Sequence, residues 1–137
     1  MYTDLFSAFL ASDNTLRIFQ DDTLVFSSEK DHLLPLMEYL ANYSPGQTPV
    51  IIFDKIMGNA AALLAVKANC YEVYSPLGSE LAVKTLERYG IEYHLTEIVP
   101  YIQRPDGKGM CPMEKLSIGK DPEEFYREMK ARAEANK

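Results

Sequence analysis

The sequence contains little cysteine and fewer basic than acidic residues. Two cysteines among 137 residues exclude a disulfide-dense secreted scaffold and suit a reducing compartment. The 14 Lys and Arg residues face 20 Asp and Glu, for a formal net charge of -6. Because binding to phosphates needs clustered cations, this balance argues against nucleic acid or an anionic membrane surface as a partner.

Long hydrophobic runs are scarce as well. None approaches the roughly 20 residues of a membrane-spanning helix, and the acidic N-terminal segment is unlike a signal peptide, so we expect a cytoplasmic protein. The chain is 47% apolar and 25% charged, which is typical of a globular domain. Since no repeat or long linker is present, we expect a single domain over residues 1–137, stable without a disulfide or a metal.

Strand and helix patterns alternate along the chain. Residues 15–19 and 23–26 flank a short polar break and predict a β-hairpin, and the apolar run 50–53 predicts a strand buried on both faces. Further predictions are helices over 2–11, about 32–42, 60–67, 80–89 and 121–135, strands over 70–74 and 91–99, and a loop over 42–49. Right-handed βαβ crossovers then predict an α/β fold, a three-layer α/β/α sandwich with a mixed sheet.

Three predicted helices begin with capping signals. Asp31 and Ser79 are suitable N-cap residues for the helices that follow them. Asp121 is followed by a proline and by Glu124, which together predict a capping box at the start of the last helix.

The first candidate site follows the buried strand. Asp54 and Lys55 end that strand, and Gly58 and Asn59 lead into an alanine-rich helix. Ligands in open α/β sheets bind beside the carboxyl ends of strands, and a helix N-terminus favours anions. Asp54 would then act as general base or substrate anchor and Lys55 would hold an anionic group. The alternative is that both are ordinary strand-end charges and the alanines only pack the helix on the sheet.

The second candidate site is a polar, glycine-rich loop over residues 103–109 and the short helix after it. Pro112 suits the first helical position, which makes Cys111 the cap residue. Arg104 and Lys108 lie nearby in sequence and would lower the pKa of that thiol. Glu114 falls in the first turn, as in a capping box. The alternative is a turn with an incidental thiol, where Glu114 only stabilises the helix start.

The sequence predicts no metal site and no cofactor. The ligand spacings of zinc sites, the serine-hydrolase elbow, the Walker A loop and the dinucleotide fingerprint are all missing. The two histidines, His32 and His94, have no ligand partner at a recognisable spacing, which favours a structural role for each. Cys70 begins an apolar strand, as a buried and inert thiol would.

Two motifs together carry a resemblance to a known family. Asp54-Lys55-x-x-Gly58-x-Ala-Ala-Ala and, about fifty residues later, Gly109-x-Cys-Pro-Met-Glu114 resemble the signature of an uncharacterised prokaryotic family, the domain of unknown function numbered 1893. The resemblance covers residues 13–117, and the segment 1–12 and the last helix lie outside it.

The resemblance implies a cytidine-deaminase-like fold, with a mixed sheet that opens with a hairpin. It does not imply deamination, because the zinc ligands of deaminases are missing. Their first motif would fall near His32, where no Glu follows, and their second would fall near Asp54 to Gly58, which contains no thiol.

Two classes of function fit these observations. The chain is either a metal-independent enzyme on a small polar or anionic metabolite, or a non-catalytic regulatory or homo-oligomeric interaction module on the same scaffold. In the enzyme, Asp54, Lys55 and Cys111 would be catalytic, and Arg104 and Glu114 would orient the substrate. Gly58 and Asn59 would contact it at the helix start.

Overall fold

A computed structural model describes residues 2–43 and 48–135 of the chain. Its elements are α1 Thr3–Ala11, β1 Leu16–Gln20, β2 Thr23–Ser28, α2 Leu34–Asn42, β3 Val50–Asp54, α3 Asn59–Lys67, β4 Cys70–Ser79, α4 Glu80–Arg88, β5 Glu92–Val99, α5 Pro112–Ser117 and α6 Pro122–Ala135. Residues 44–47 of the loop predicted over 42–49 lie outside the described part. Within it, no helix combines the length and apolarity needed to cross a membrane.

The five strands form one mixed sheet in the order β2-β1-β3-β4-β5. The predicted hairpin is present: β1 pairs antiparallel with β2, and Asp21 takes a left-handed φ of 54° in the tight turn between them. β1 also pairs antiparallel with β3, while β3, β4 and β5 are parallel neighbours. The predicted α/β class and mixed sheet are confirmed.

Helices cover the two faces of the sheet unequally. The strands β3, β4 and β5 advance in one direction, so right-handed crossovers place α3 and α4 on the same face. That face carries the main core, which includes the fully buried Phe125 of α6. On the other face, Phe9 and its neighbours on α1 pack against Phe19, Ile51 and Phe53. The sheet is thus the middle layer, and α6 is an integral part of the core.

Two capping predictions are confirmed and one is wrong. Ser79 Oγ accepts from the backbone N–H of Ala82. Asp121 and Glu124 each accept the other's backbone N–H, at 2.8 and 3.1 Å.

Asp31 does not cap α2. The helix begins at Leu34, and Leu33 precedes it without any side-chain cap. His32 between them has a left-handed φ of 60°, and Asp31 accepts the N–H of Leu34 with its backbone carbonyl and not with its side chain. The residues expected to begin the helix form this turn instead.

β4 is twice as long as the sequence predicted. Instead of ending at Tyr74, it continues to Ser79, although proline and glycine in this segment are typical of turns. Pairing on both sides keeps it extended: β5 lies along one edge, and the N–H of Ser79 donates to Met57 O on the other. A Cβ on Gly78 would lie 2.5 Å from Leu95 Cδ1, so the glycine admits that side chain.

Candidate functional site

The buried carboxylate of Glu114 joins the two sequence motifs. Its Oε1 accepts the backbone N–H of Asn59, the first residue of α3, at 2.6 Å. Its Oε2 accepts the N–H of Ile102 at 2.7 Å. The side chain is almost fully buried. A Cβ at Gly58 would lie 3.1 Å from Glu114 Oε1, so glycine lets the carboxylate approach the helix start. The predicted capping box within α5 is wrong, because Glu114 caps α3 instead.

Asn59 extends this contact into a buried polar network. Its side-chain N–H donates to Ser117 Oγ at 2.9 Å, and its Oδ1 accepts from the hydroxyl of Thr85. Ser117 in turn donates to the carbonyl of Glu114 at 2.6 Å. Each of these groups is satisfied by another part of the chain, which locks α3, α4 and α5 together.

Asp54 and Lys55 lie on opposite faces of the sheet, because successive side chains of a strand alternate. Lys55 Nζ donates to Ser12 O at 3.0 Å and lies 4.9 Å from the centre of the Phe9 ring, on the α1 side. Asp54 Oδ1 accepts the N–H of Ile56 at 3.3 Å. Removal from water raises the pKa of Asp54 from 3.8 to about 7, so it can exchange a proton near neutral pH.

The glycine-rich loop is an ordered hairpin. Arg104 N–H donates to Gly109 O at 2.8 Å, and Gly107 N–H donates to Arg104 O at 2.9 Å. Gly107 and Gly109 have φ values of 72° and 134°, which side-chain-bearing residues rarely adopt. The hairpin closes where the N–H of Cys111 donates to Ile102 O. Because Ile102 also contacts Glu114, the loop is anchored beside the start of α3.

Cys111 is the half-buried N-cap residue of α5, as predicted, but its side chain makes no capping hydrogen bond. Lys55 points toward α1 rather than toward the start of α3, where it was expected to hold an anionic group. The catalytic roles of Asp54, Lys55 and Cys111 stay predictions.

A cleft of about 470 Å³ lies between the glycine-rich loop, α5 and α6. Arg104 is the only predicted site residue that lines it. In the described part of the chain its charged lining residues are all basic: Arg104, Lys115, Lys120 and Arg132. Arg104 also approaches Asp106 at 3.5 Å, and Arg132 approaches Glu128 at 3.4 Å. These long, exposed ion pairs are weak, so both guanidinium groups are available to a stronger anion.

A second cavity, of about 450 Å³, adjoins the cleft. The two share Met113 and Arg132. The second is lined mainly by apolar side chains, among them Leu33, Met37 and Met129. The cationic cleft and the apolar cavity therefore form one continuous concave surface on this side of the protein.

Sequence reasoning missed three of the four cations. Lys115 and Lys120 flank the end of α5, and Arg132 belongs to the last helix, which lies outside the residues that carry the family resemblance. One feature of the sequence could have indicated this cleft. Residues 115–120 contain two lysines and no acidic residue, in a chain that is acidic as a whole.

The two thiols should differ strongly in reactivity. Burial raises the pKa of Cys70 to about 12, and its Sγ lies 3.0 Å from Glu72 O, as expected for an inert thiol. We expect a thiol reagent such as DTNB to label one cysteine of the native protein, and the second only after unfolding. Cys111→Ser should remove the first phase, and Cys70→Ser the second. Two thiols labelled at one rate in the native protein would contradict this.

Comparison with known proteins places these features in a family. Residues 6–132 match the family model described as domain of unknown function (DUF1893). The match extends past the expected 13–117 and includes most of α1 and α6. The crystal structure of a DUF1893 family protein (TM1506) from Thermotoga maritima superposes with a TM-score of 0.85 at 28% identity, over 94% of this chain and 87% of that chain. A search of curated proteins found no match.

Proposed function

The chain belongs to the DUF1893 family, and we propose that it binds a small anionic molecule in the cleft between the glycine-rich loop, α5 and α6. The observation that carries this proposal is the sign of the charge. Four cations and no carboxylate among the described residues line the cleft, in a chain whose formal net charge is -6. A local concentration of one sign in a concave site attracts ligands of the opposite sign.

Arg104 is the central binding residue of the proposal. Its planar guanidinium suits bidentate contact with a phosphate or carboxylate, and the closed hairpin of the loop holds its backbone. Lys115, Lys120 and Arg132 add charge from α5 and α6. The adjoining apolar cavity favours a ligand that carries an apolar group as well as an anionic one.

Gly58, Asn59 and Glu114 of the two sequence motifs hold the elements around the cleft in position. Glu114 and Asn59 connect the loop, α5 and the start of α3 through buried hydrogen bonds, and Gly58 leaves room for the Glu114 carboxylate. In this proposal they position the cationic cleft and do not contact the ligand. A family signature made of such residues is expected if the geometry of the loop matters for binding.

Zinc chemistry of the deaminase type does not fit this proposal. In zinc deaminases cysteine thiolates at the start of a helix bind the metal. The resemblance would place the corresponding helix start at α3, where both oxygens of Glu114 accept backbone N–H groups. We therefore propose a deaminase-like scaffold that works without zinc at this position, as a binding module or as a metal-independent enzyme.

A thermal-shift titration with inorganic phosphate, sugar phosphates and nucleotides tests the proposal. A ligand at about 100 times its dissociation constant adds about 2.7 kcal/mol of stability, a rise of about 8 °C in Tm for a domain of this size. We expect Arg104→Gln to reduce that rise by more than half. Arg88→Gln, at an exposed arginine outside the cleft, is the matched control. The proposal fails if no compound raises Tm, or if both variants respond like the wild type.

A further inference from the structure

Three metal-binding side chains meet on the α1 face of the sheet, away from the cationic cleft. Glu72 belongs to β4, and Glu92 and His94 belong to the edge strand β5. One ligand atom from each lies within 4.8 Å of the other two. His94 Nε2 lies 2.7 Å from Glu72 Oε2 and 3.8 Å from Glu92 Oε2.

The register of the two strands creates an unfavourable charge pair. Glu72 stands directly opposite Glu92, and like charges in that arrangement destabilise a sheet. Glu72 is also 92% buried, with a relative exposure of 8%, where a carboxylate needs a compensating partner. In the described part of the chain both carboxylates contact the His94 imidazole, and neither has an ion pair with lysine or arginine. A divalent cation placed between the two carboxylates would offset their mutual repulsion.

Tyr74 orients two of the three ligands. Its ring stacks on the His94 imidazole with centroids 4.2 Å apart and planes 17° from parallel. Its hydroxyl donates to Glu72 Oε2 at 3.1 Å. Supporting contacts of this kind hold metal-binding carboxylates and imidazoles in place in known sites. Glu92 is exposed, which leaves its side chain free to close on an ion.

We propose that Glu72, Glu92 and His94 bind a divalent transition-metal ion of the zinc class. One imidazole nitrogen and two carboxylate oxygens, with water as the fourth ligand, form a tetrahedral set that zinc accepts. Binding replaces the hydrogen bond between His94 and Glu72. The imidazole proton then resides on Nδ1, and the Nε2 lone pair faces the ion. The bound ion ties the edge strand β5 to β4.

Zinc titration of the tag-free, reduced protein, followed by calorimetry and by NMR of the imidazole groups, tests this site. The chain has two histidines, so the imidazole signals of His32 serve as an internal control for those of His94. We expect one Zn²⁺ per chain, with His94 signals shifting and His32 signals unchanged. His94→Gln and Glu92→Gln should each weaken binding at least tenfold. Glu92 is exposed, so its replacement does not threaten folding.

Matched controls separate this site from other zinc contacts. His32→Gln and Cys111→Ser, which remove the other imidazole and the half-buried thiol, should leave the affinity within twofold. The proposal is overturned if zinc does not bind, if His94→Gln binds as tightly as the wild type, or if either control abolishes binding. Arg104→Gln should not change the zinc affinity, so the anion site and the metal site succeed or fail independently.

Discussion

Replacing Glu114 by alanine should lower the free energy of unfolding by about 3 kcal/mol or more. The carboxylate is buried and accepts two backbone N–H groups, from Asn59 and Ile102. Alanine leaves both donors without a partner, and each unsatisfied buried donor costs about 1–3 kcal/mol. The charge also faces the N-terminus of α3, where the helix dipole favours an anion.

Urea denaturation with matched variants separates these contributions. Glu114→Gln keeps the shape of the side chain but offers one acceptor oxygen instead of two. The free energy of unfolding of this variant should therefore lie between that of the wild type and that of Glu114→Ala. Glu124→Ala is the control, since that side chain accepts a single exposed N–H in the cap of α6 and should cost about 1 kcal/mol. Equal losses for Glu114→Ala and Glu124→Ala would show that Glu114 is not the connection we describe.

The elements that the sequence predicted correctly depend on short-range signals. Ser79 caps α4 by a hydrogen bond to a residue three positions later, and the cap of α6 spans the same distance. The hairpin, the buried strand β3 and the alternation of strands and helices also follow from local patterns. Such features can be predicted because their partners are neighbours in the chain.

Glu114 shows why other features could not be predicted. Its position in the first turn of α5 matches a capping box, which would require the N–H of Cys111. That N–H donates to Ile102 O instead. The carboxylate is thereby free to accept from Asn59, 55 residues earlier in the chain. Nothing in the spacing of the residues encodes this choice, which depends on how the loop folds over α3.

The arrangement of the candidate residues could not be predicted, for two physical reasons. Asp54 and Lys55 are adjacent in sequence, yet strand alternation puts them on different faces of the sheet, so they cannot share a ligand directly. The cationic cleft, in contrast, combines Arg104 with Arg132 of α6, and only the packing of that helix brings them together. The cluster of Glu72, Glu92 and His94 likewise depends on the register between β4 and β5.

Asp54→Asn should stabilise the protein at alkaline pH and have no effect at acidic pH. The folded-state pKa of Asp54 is raised from 3.8 to about 7 by burial, so the folded state retains a proton that the unfolded chain releases. The contribution of Asp54 to the free energy of unfolding is therefore most favourable below about pH 4. It decreases as the pH rises to about 7 and stays low above that. Asparagine is uncharged throughout and keeps an oxygen for the N–H of Ile56.

The expected gain at pH 8 is about 2 kcal/mol. Each pKa unit corresponds to about 1.4 kcal/mol, so the shift to about 7 sets a ceiling of about 4 kcal/mol, and the solvent that reaches this half-buried carboxylate lowers the cost. Urea denaturation of the wild type and of Asp54→Asn from pH 4 to pH 8 measures the difference in their free energies of unfolding.

Asp121→Asn is the control of opposite sign, because hydrogen bonds with Glu124 lower the pKa of Asp121 and its charged form is stabilising. If Asp54→Asn destabilises the protein at pH 8, the charged form of Asp54 has a favourable partner, and its predicted role as a proton acceptor near neutral pH is wrong.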